Sequence, residues 1–151
     1  WALLAVCCGF QRAASILSTD GQNIVYSSTG QTVQLKCVNW YGAHQELFVV
    51  GGVERQSIAN ISRQIVLMGA NCVRLPFSMD LVRNNPIVNE RDIAAVTENE
   101  CPRTAGSITA LRFLDCVINR LTSDGIMVIL NNHNSQATWV GANATSLQGL
   151  W

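Results

Sequence analysis

Apolar positions along the chain switch between a strand period and a helix period. Residues 23 to 26 (Asn-Ile-Val-Tyr) and 32 to 35 (Thr-Val-Gln-Leu) are short β-rich runs separated by Ser27, Ser28, Thr29 and Gly30. That pattern predicts a hairpin of these two arms. The second arm continues through Lys36-Cys37-Val38 into Asn39-Trp40-Tyr41-Gly42, which predicts a buried strand. Between residues 54 and 68, Ile58, Ile61, Ile65 and Met68 recur at helical spacing, one face of a helix. Gly69 supplies its stop. Asn71-Cys72-Val73-Arg74-Leu75 reads as a short strand halted at Pro76.

Residues 76 to 105 are long and irregular, broken by Pro86, Pro102 and several Asn. A loop of that length is functional or stapled down, and Cys101 lies within it. A helix is predicted from about Ser107 to Thr122, with Ile108, Leu111, Leu114, Ile118 and Leu121 on its apolar face. Ser123-Asp124-Gly125 turns the chain. Ile126-Met127-Val128-Ile129-Leu130 is a continuous apolar run, as expected of a parallel strand buried on both faces. The polar run Asn131 to Ser135 and a loop to Trp151 follow. Successive strand–helix units imply a parallel sheet with right-handed crossovers. Two architectures begin this way: an open doubly wound sheet, and a (β/α)8 barrel of typically about 250 residues.

Composition narrows the class. Of 151 residues, 48% are hydrophobic and 13% charged, against about 25% charged in an average protein. That excludes a disordered chain. Ten basic and ten acidic residues cancel, so charge offers no case for nucleic acid or an anionic membrane surface. Residues 1 to 10 form an apolar run followed by Gln11-Arg12 and the small residues Ala13-Ala14-Ser15. This matches the apolar core and exit of a secretory signal peptide without its initiator Met, and it falls short of the roughly 20 residues that span a membrane. Residues 1–15 are therefore expected to be a residual signal peptide on a secreted protein with no stable membrane anchor. With Cys7 and Cys8 removed, Cys37, Cys72, Cys101 and Cys116 remain. An oxidising compartment makes disulfides reasonable, but four cysteines allow three pairings. Asn60-Ile61-Ser62 and Asn143-Ala144-Thr145 are glycosylation sequons, consistent with export.

In α/β folds ligands gather at the C-terminal ends of parallel strands. Here those ends are Asn39-Trp40-Tyr41, Arg74-Leu75-Pro76 and Asn132-His133-Asn134. Each places polar or aromatic groups directly after an apolar strand. Arg74 at such an end reads equally as a site residue or a salt-bridged surface arginine. For His133, four polar residues after five apolar ones favour a site over a satisfied, half-buried histidine. Trp40, Trp139 and Trp151 can stack on sugar rings or fill the core, and for Trp40 the core is the simpler reading. No dinucleotide fingerprint, phosphate-binding loop or nucleophile elbow is present. Two histidines without a carboxylate cluster make a poor metal site, so no metal and no cofactor is expected.

The ordered set of strand motifs resembles secreted glycoside hydrolase family 5 (cellulase-type) enzymes. Val38-Asn39-Trp40-Tyr41-Gly42 is similar to their first barrel strand. Gly69-Ala70-Asn71-Cys72-Val73-Arg74-Leu75-Pro76-Phe77-Ser78 is similar to their second, and Asp124 to Ser135 to their third. Trp139 and Gly149-Leu150-Trp151 resemble the following loop. The likeness covers roughly residues 17 to 151. It implies an α/β fold, a partial (β/α)8 barrel consisting of an N-terminal hairpin, three strands and two helices. Residues 16–151 would be the N-terminal part of a catalytic domain, incomplete at its end. It implies hydrolysis of β-glycosidic bonds with retention, which needs two carboxyl groups about 5 to 5.5 Å apart. In the family both are glutamates on the fourth and seventh strands, beyond this chain. Asn89-Glu90 and Asn99-Glu100 imitate the acid/base pair but lie in the irregular segment and are rejected. The supporting residues carry over. Arg74 matches the arginine that orients the nucleophile, and His133 matches the histidine lining the subsite beside the cleaved bond. Asn39, Trp40, Asn132 and Trp139 are the expected substrate contacts.

The chain departs from the family at two places. Val140 and Gly141 stand where many relatives have cysteines after the tryptophan matching Trp139, and His44 stands where relatives often have an acidic residue. The expected partner is a polysaccharide or oligosaccharide, with a monomeric full-length protein. Two alternatives stay open: a non-catalytic carbohydrate-binding relative, and an unrelated small open-sheet α/β protein.

Overall fold

The computed structural model describes residues 16–139. The predicted signal segment, the sequon at Asn143, the departures at Val140 and Gly141 and the closing Gly149-Leu150-Trp151 lie outside the described residues. The chain divides into two units, one up to Gln34 and one from Leu35 onward.

In the first unit, β1 (Leu17–Asp20) pairs antiparallel with β2 (Asn23–Tyr26), Asp20 opposite Asn23. The hairpin is therefore one strand earlier than the β-rich runs predict. Its turn is Gly21-Gln22, with Gly21 at φ +56°. Glycine at the first position of a two-residue turn accepts the positive φ that matches strand twist, and so closes the hairpin here. The expected arm at 32–35 forms no strand. It returns only as a bridge between Val25 and Thr32 and as two backbone hydrogen bonds, Val33 N to Ile24 O and Tyr26 N to Gln31 O.

In the second unit, β3 (Cys37–Asn39), β4 (Cys72–Ser78) and β5 (Met127–Asn134) form a parallel sheet in the order β3-β4-β5. Two helices cross between them, α1 (Ile58–Leu67) and α3 (Ala110–Ser123), with a short α2 (Met79–Asn84) after β4. The α/β organisation inferred from the strand–helix order is thus observed. Register runs Cys37, Cys72 and Met127 in one row, and Asn39, Arg74 and Ile129 two rows on. Asn71 ties the start of this sheet: its N–H donates to Lys36 O, its side-chain oxygen accepts Lys36 N–H, and its carbonyl accepts Met127 N–H.

Strand β4 continues through Pro76 instead of stopping there. The reason lies in the ladder. Arg74 O accepts Trp40 N–H on the β3 side, and Pro76, two residues on, points its missing N–H the same way. There β3 has already ended, so no ladder bond is lost. Strand β5 likewise runs four residues past its apolar stretch, so Asn131 to Asn134 belong to the sheet and not to a loop.

The core lies between the sheet and the helices. Val73 and Leu75 from β4 pack with Ile58 and Ile65 of α1 and Phe113, Leu114, Val117 and Leu121 of α3. The helical faces differ in detail from the periodicity reading. Met68 caps α1 and is 67% exposed. Helix α3 starts at Ala110, and the buried stripe runs through Phe113 and Val117, with Leu111 and Ile118 at its margin. A polar contact links α1 to the end of α3: Ser62 Oγ donates to Asp124 Oδ2 at 2.5 Å, an oxygen that also accepts Arg120 Nε–H at 2.9 Å. Ser62 is fully buried, so its hydroxyl must find a partner inside.

The irregular segment is ordered by three devices. Ser78 caps α2 by accepting Leu81 N–H, and Asn85 closes it at φ 38°. Asn89 caps a 3-10 turn, Glu90–Ile93. A disulfide joins Cys101 to Cys116 of α3. The other pairing is Cys37 with Cys72, direct register partners on β3 and β4. Six-residue helices carry too few turns for periodicity to reveal them. The Cys101–Cys116 link closes a loop of separation 15, worth roughly 3 kcal/mol through loop-closure entropy. Replacing both cysteines by serine is expected to lower the unfolding free energy by about that amount in urea titration of the protein. An unchanged midpoint would show that the segment is ordered without its staple.

Candidate active site

The parallel register brings the ends of three strands level, and one guanidinium joins them. Arg74 Nε and Nη2 both donate to Asn131 Oδ1, at 3.0 and 2.5 Å. Its Nη1 donates to Asn39 Oδ1 at 3.3 Å. Its Nη2 also lies 3.3 Å from His133 Nδ1. Arginine has only donors, so His133 Nδ1 is the acceptor and the neutral ring carries its proton on Nε2. The spacing has a simple origin. Asn131 and His133 are two apart on β5 and share a face, the face that meets Arg74. A bulge at this point shifts the register, so that Phe77 pairs with Asn132 and Ser78 with Asn134. His133 is the extra residue, and such bulges re-aim a side chain next to a site.

A second row of rings adjoins the first. His44, in the loop after β3, meets His133 edge to face with centroids 5.0 Å apart and an interplanar angle of 82°. The same ring lies 6.0 Å from Trp139 at 89°, and Trp139 lies 6.2 Å from Tyr41. Tyr41 and Trp139 are more than half exposed. The loop carrying His44 is sewn to the strand end: Gly51 N–H donates to Tyr41 O and Trp40 Nε1–H donates to Gly51 O, both at 2.8 Å. Gly42 is required for this. It sits at φ +125°, and a Cβ there would come within 2.6 Å of Gly51 N.

The sequence candidates are distributed as follows. Arg74, His133 and Asn39 converge in one cluster. Trp139 stands beside it, exposed. Trp40 is buried in the core with its indole N–H bonded to Gly51. Strand alternation turns Asn132 away from Asn131 and His133, and its Oδ1 is buried with no partner among the described residues. Glu90 and Glu100 are remote from the cluster: Glu90 pairs with Arg103, and Glu100 accepts the N–H groups of Ala59 and Thr97. Asn131 is absent from the sequence candidates, Tyr41 figures there only as part of a strand end, and His44 only as a departure from the family. The i, i+2 relation to His133 would have singled out Asn131. Nothing local marks His44, which reaches the cluster only because its loop folds back.

Both histidines are held below the ordinary value of 6.5. For His44 the causes are burial first, then His133 and Arg74, with Glu46 opposing; for His133 they are burial and then Arg74. Among the described residues no group of three or more His, Cys, Asp or Glu is placed to hold a metal, and no helix is long and apolar enough to cross a membrane.

A parallel strand–helix sheet with a polar cluster and exposed aromatics at its strand ends defines a strand-end-site α/β protein. Comparison with known proteins makes this specific. The model of the cellulase family (glycosyl hydrolase family 5) matches residues 26–148. The chain belongs to that family. It is 32% identical over 136 residues to a glycosyl hydrolase 5 family protein of Chamaecyparis obtusa, covering 82% of this chain and 24% of that one. Its fold is similar to the catalytic domain of the major endoglucanase from Xanthomonas campestris pv. campestris, with a TM-score of 0.69, 27% identity and coverage of 82% of this chain and 34% of that one. It is also similar in fold to an endocellulase from Pyrococcus horikoshii solved with cellotetraose, with a TM-score of 0.65, 23% identity and coverage of 84% and 33%. The chain thus spans a quarter to a third of the length of the proteins it matches.

The depressed histidines have a thermodynamic consequence. In the folded chain both rings stay neutral at pH values where the unfolded chain's histidines have protonated. The unfolded state then binds more protons, so the contribution is present above pH 6.5 and is lost as pH falls through 6.5 toward the lower folded values. Histidine ring NMR is expected to show both midpoints below 6.5, with stability beginning to fall near that pH. Midpoints at or above 6.5 would contradict the packing of the cluster.

Proposed function

We propose that this chain forms the first three strands of a (β/α)8 barrel in an exported retaining β-glycosidase that cleaves a β-glucan. The observation that carries the reading is the Arg74 cluster, placed where such barrels build their sites. Family membership supports the chemistry. The endoglucanase and cellotetraose named for the matched proteins support the substrate class. The barrel reading is supported by Ile129 and Leu130 on β5, which are 41% and 53% exposed, and by the free edge of β5 among the described residues. Two disulfides support export.

In this reading Arg74 orients the nucleophile glutamate supplied by a later strand and keeps it ionised, since a guanidinium beside a carboxylate favours its charged form. Asn131, Asn39 and His133 aim that guanidinium by occupying four of its five N–H groups. His133 presents Nε2–H to a sugar hydroxyl in the subsite beside the cleaved bond. Trp139 and Tyr41 offer ring faces to the next sugar. In this reading both catalytic glutamates come from later strands, and Glu90 and Glu100 are engaged elsewhere, so the 151-residue chain alone is expected to turn over no substrate.

The test is hydrolysis of cellotetraose by the full-length protein, with the anomer of the first product read by NMR. Retention is expected; inversion or no cleavage would overturn the reading. Arg74→Lys keeps the charge but loses the forked donors. It is expected to lower kcat by about a hundredfold with little change in KM, as a misplaced reacting group does.

A further inference from the structure

The His44 ring touches both His133 and Trp139, and its setting is unusual for a loop residue. It is 4% exposed, and its Nδ1 is buried without a hydrogen-bond partner among the described residues. A ring this enclosed does not itself reach a sugar. What it does reach are His133 on one side and Trp139 on the other, perpendicular to both. Edge-to-face contact at such centroid distances is the preferred geometry of aromatic pairs.

We infer that His44 is a positioning residue, an imidazole wedged between His133 and Trp139 that fixes the orientation of each. The inference rests on the reading of the strand ends as a glucan site. Arg74 grips only one nitrogen of His133, which leaves the ring free to swing about that contact. The His44 ring blocks the swing, and so holds Nε2–H in one direction. On its other side it supports Trp139, which follows a stretch of bends and is otherwise more than half exposed. The groups facing His44 are His133 from β5, Arg74 from β4 and Glu46 from its own loop. Burial and the Arg74 guanidinium disfavour a charge on His44, Glu46 only partly opposes them, and a proton on the unpartnered Nδ1 would have no acceptor among the described residues. The ring therefore serves as a neutral spacer beside the Arg74 guanidinium.

The inference is tested in the full-length protein with His44→Ala and His44→Phe. Nitrogen NMR of the His133 ring reads its tautomer whether or not the protein hydrolyses glucan. Wild type is expected to show a proton on Nε2 and an unprotonated Nδ1 that accepts from Arg74. His44→Ala is expected to give mixed tautomer signals and about a tenfold lower kcat/KM on cellotetraose, shared between kcat through His133 and KM through Trp139. His44→Phe, a ring without nitrogens, is expected to restore the single tautomer and most of the activity. An alanine variant with unchanged His133 signals and unchanged kcat/KM would overturn the inference. So would a folded phenylalanine variant as impaired as the alanine one. If the alanine variant does not fold, the phenylalanine variant decides. A wild type with the expected tautomer but no glucan hydrolysis would reject the glucan reading alone.

Discussion

One half-buried guanidinium holds the site together. Arg74 reaches Asn39 on β3 and Asn131 and His133 on β5 from the strand between them. It can do so only because parallel register sets Asn39 and Arg74 level and places Asn131 two residues beyond the β5 partner of Arg74. A slip of one residue on either neighbour would turn these side chains to the other face. The sheet's register and the site's geometry are therefore a single constraint. Charge-assisted hydrogen bonds are the stronger class, and three short polar residues around one arginine exploit this without burying a counter-ion.

The register has its own anchors at the opposite end of the sheet. Asn71 bonds Lys36 twice and Met127 once, and the Cys37–Cys72 disulfide links direct partners in the adjacent row. The polar cluster is thus positioned by covalent and hydrogen-bonded contacts at the far end of the same short strands. Helix packing supplies the rest. Leu75 and Val73 bury the opposite face of β4, so β4 cannot shift without exposing them. Stability and site share one strand, with its faces divided between the two tasks.

The strand-end loop adds what the strands alone lack. Residues 42–51 fold back because Gly42 accepts a φ of +125° and because the Trp40 indole bonds Gly51. Trp40 thus serves from the core, and its neighbour Tyr41 is the ring left at the surface. That exchange of roles between adjacent aromatics places His44 against His133, two residues 89 positions apart in the chain.

The strand–helix order, the parallel sheet, the Arg74 and His133 candidates and the family were all legible in the chain, because each rests on local signals: apolar periods, strand-end polarity and ordered motifs. The hairpin partner was misread, since two β-prone runs compete and the Gly21-Gln22 turn decides between them. Periodicity also ended β4 at Pro76 and β5 at Leu130, because it registers neither a proline whose N–H side faces no strand nor a polar run that is still paired. Tertiary structure alone decided the cysteine pairing, the burial of Trp40 and the arrival of His44 beside His133. Those outcomes depend on distances across the sheet and on loop closure, and no local pattern encodes them.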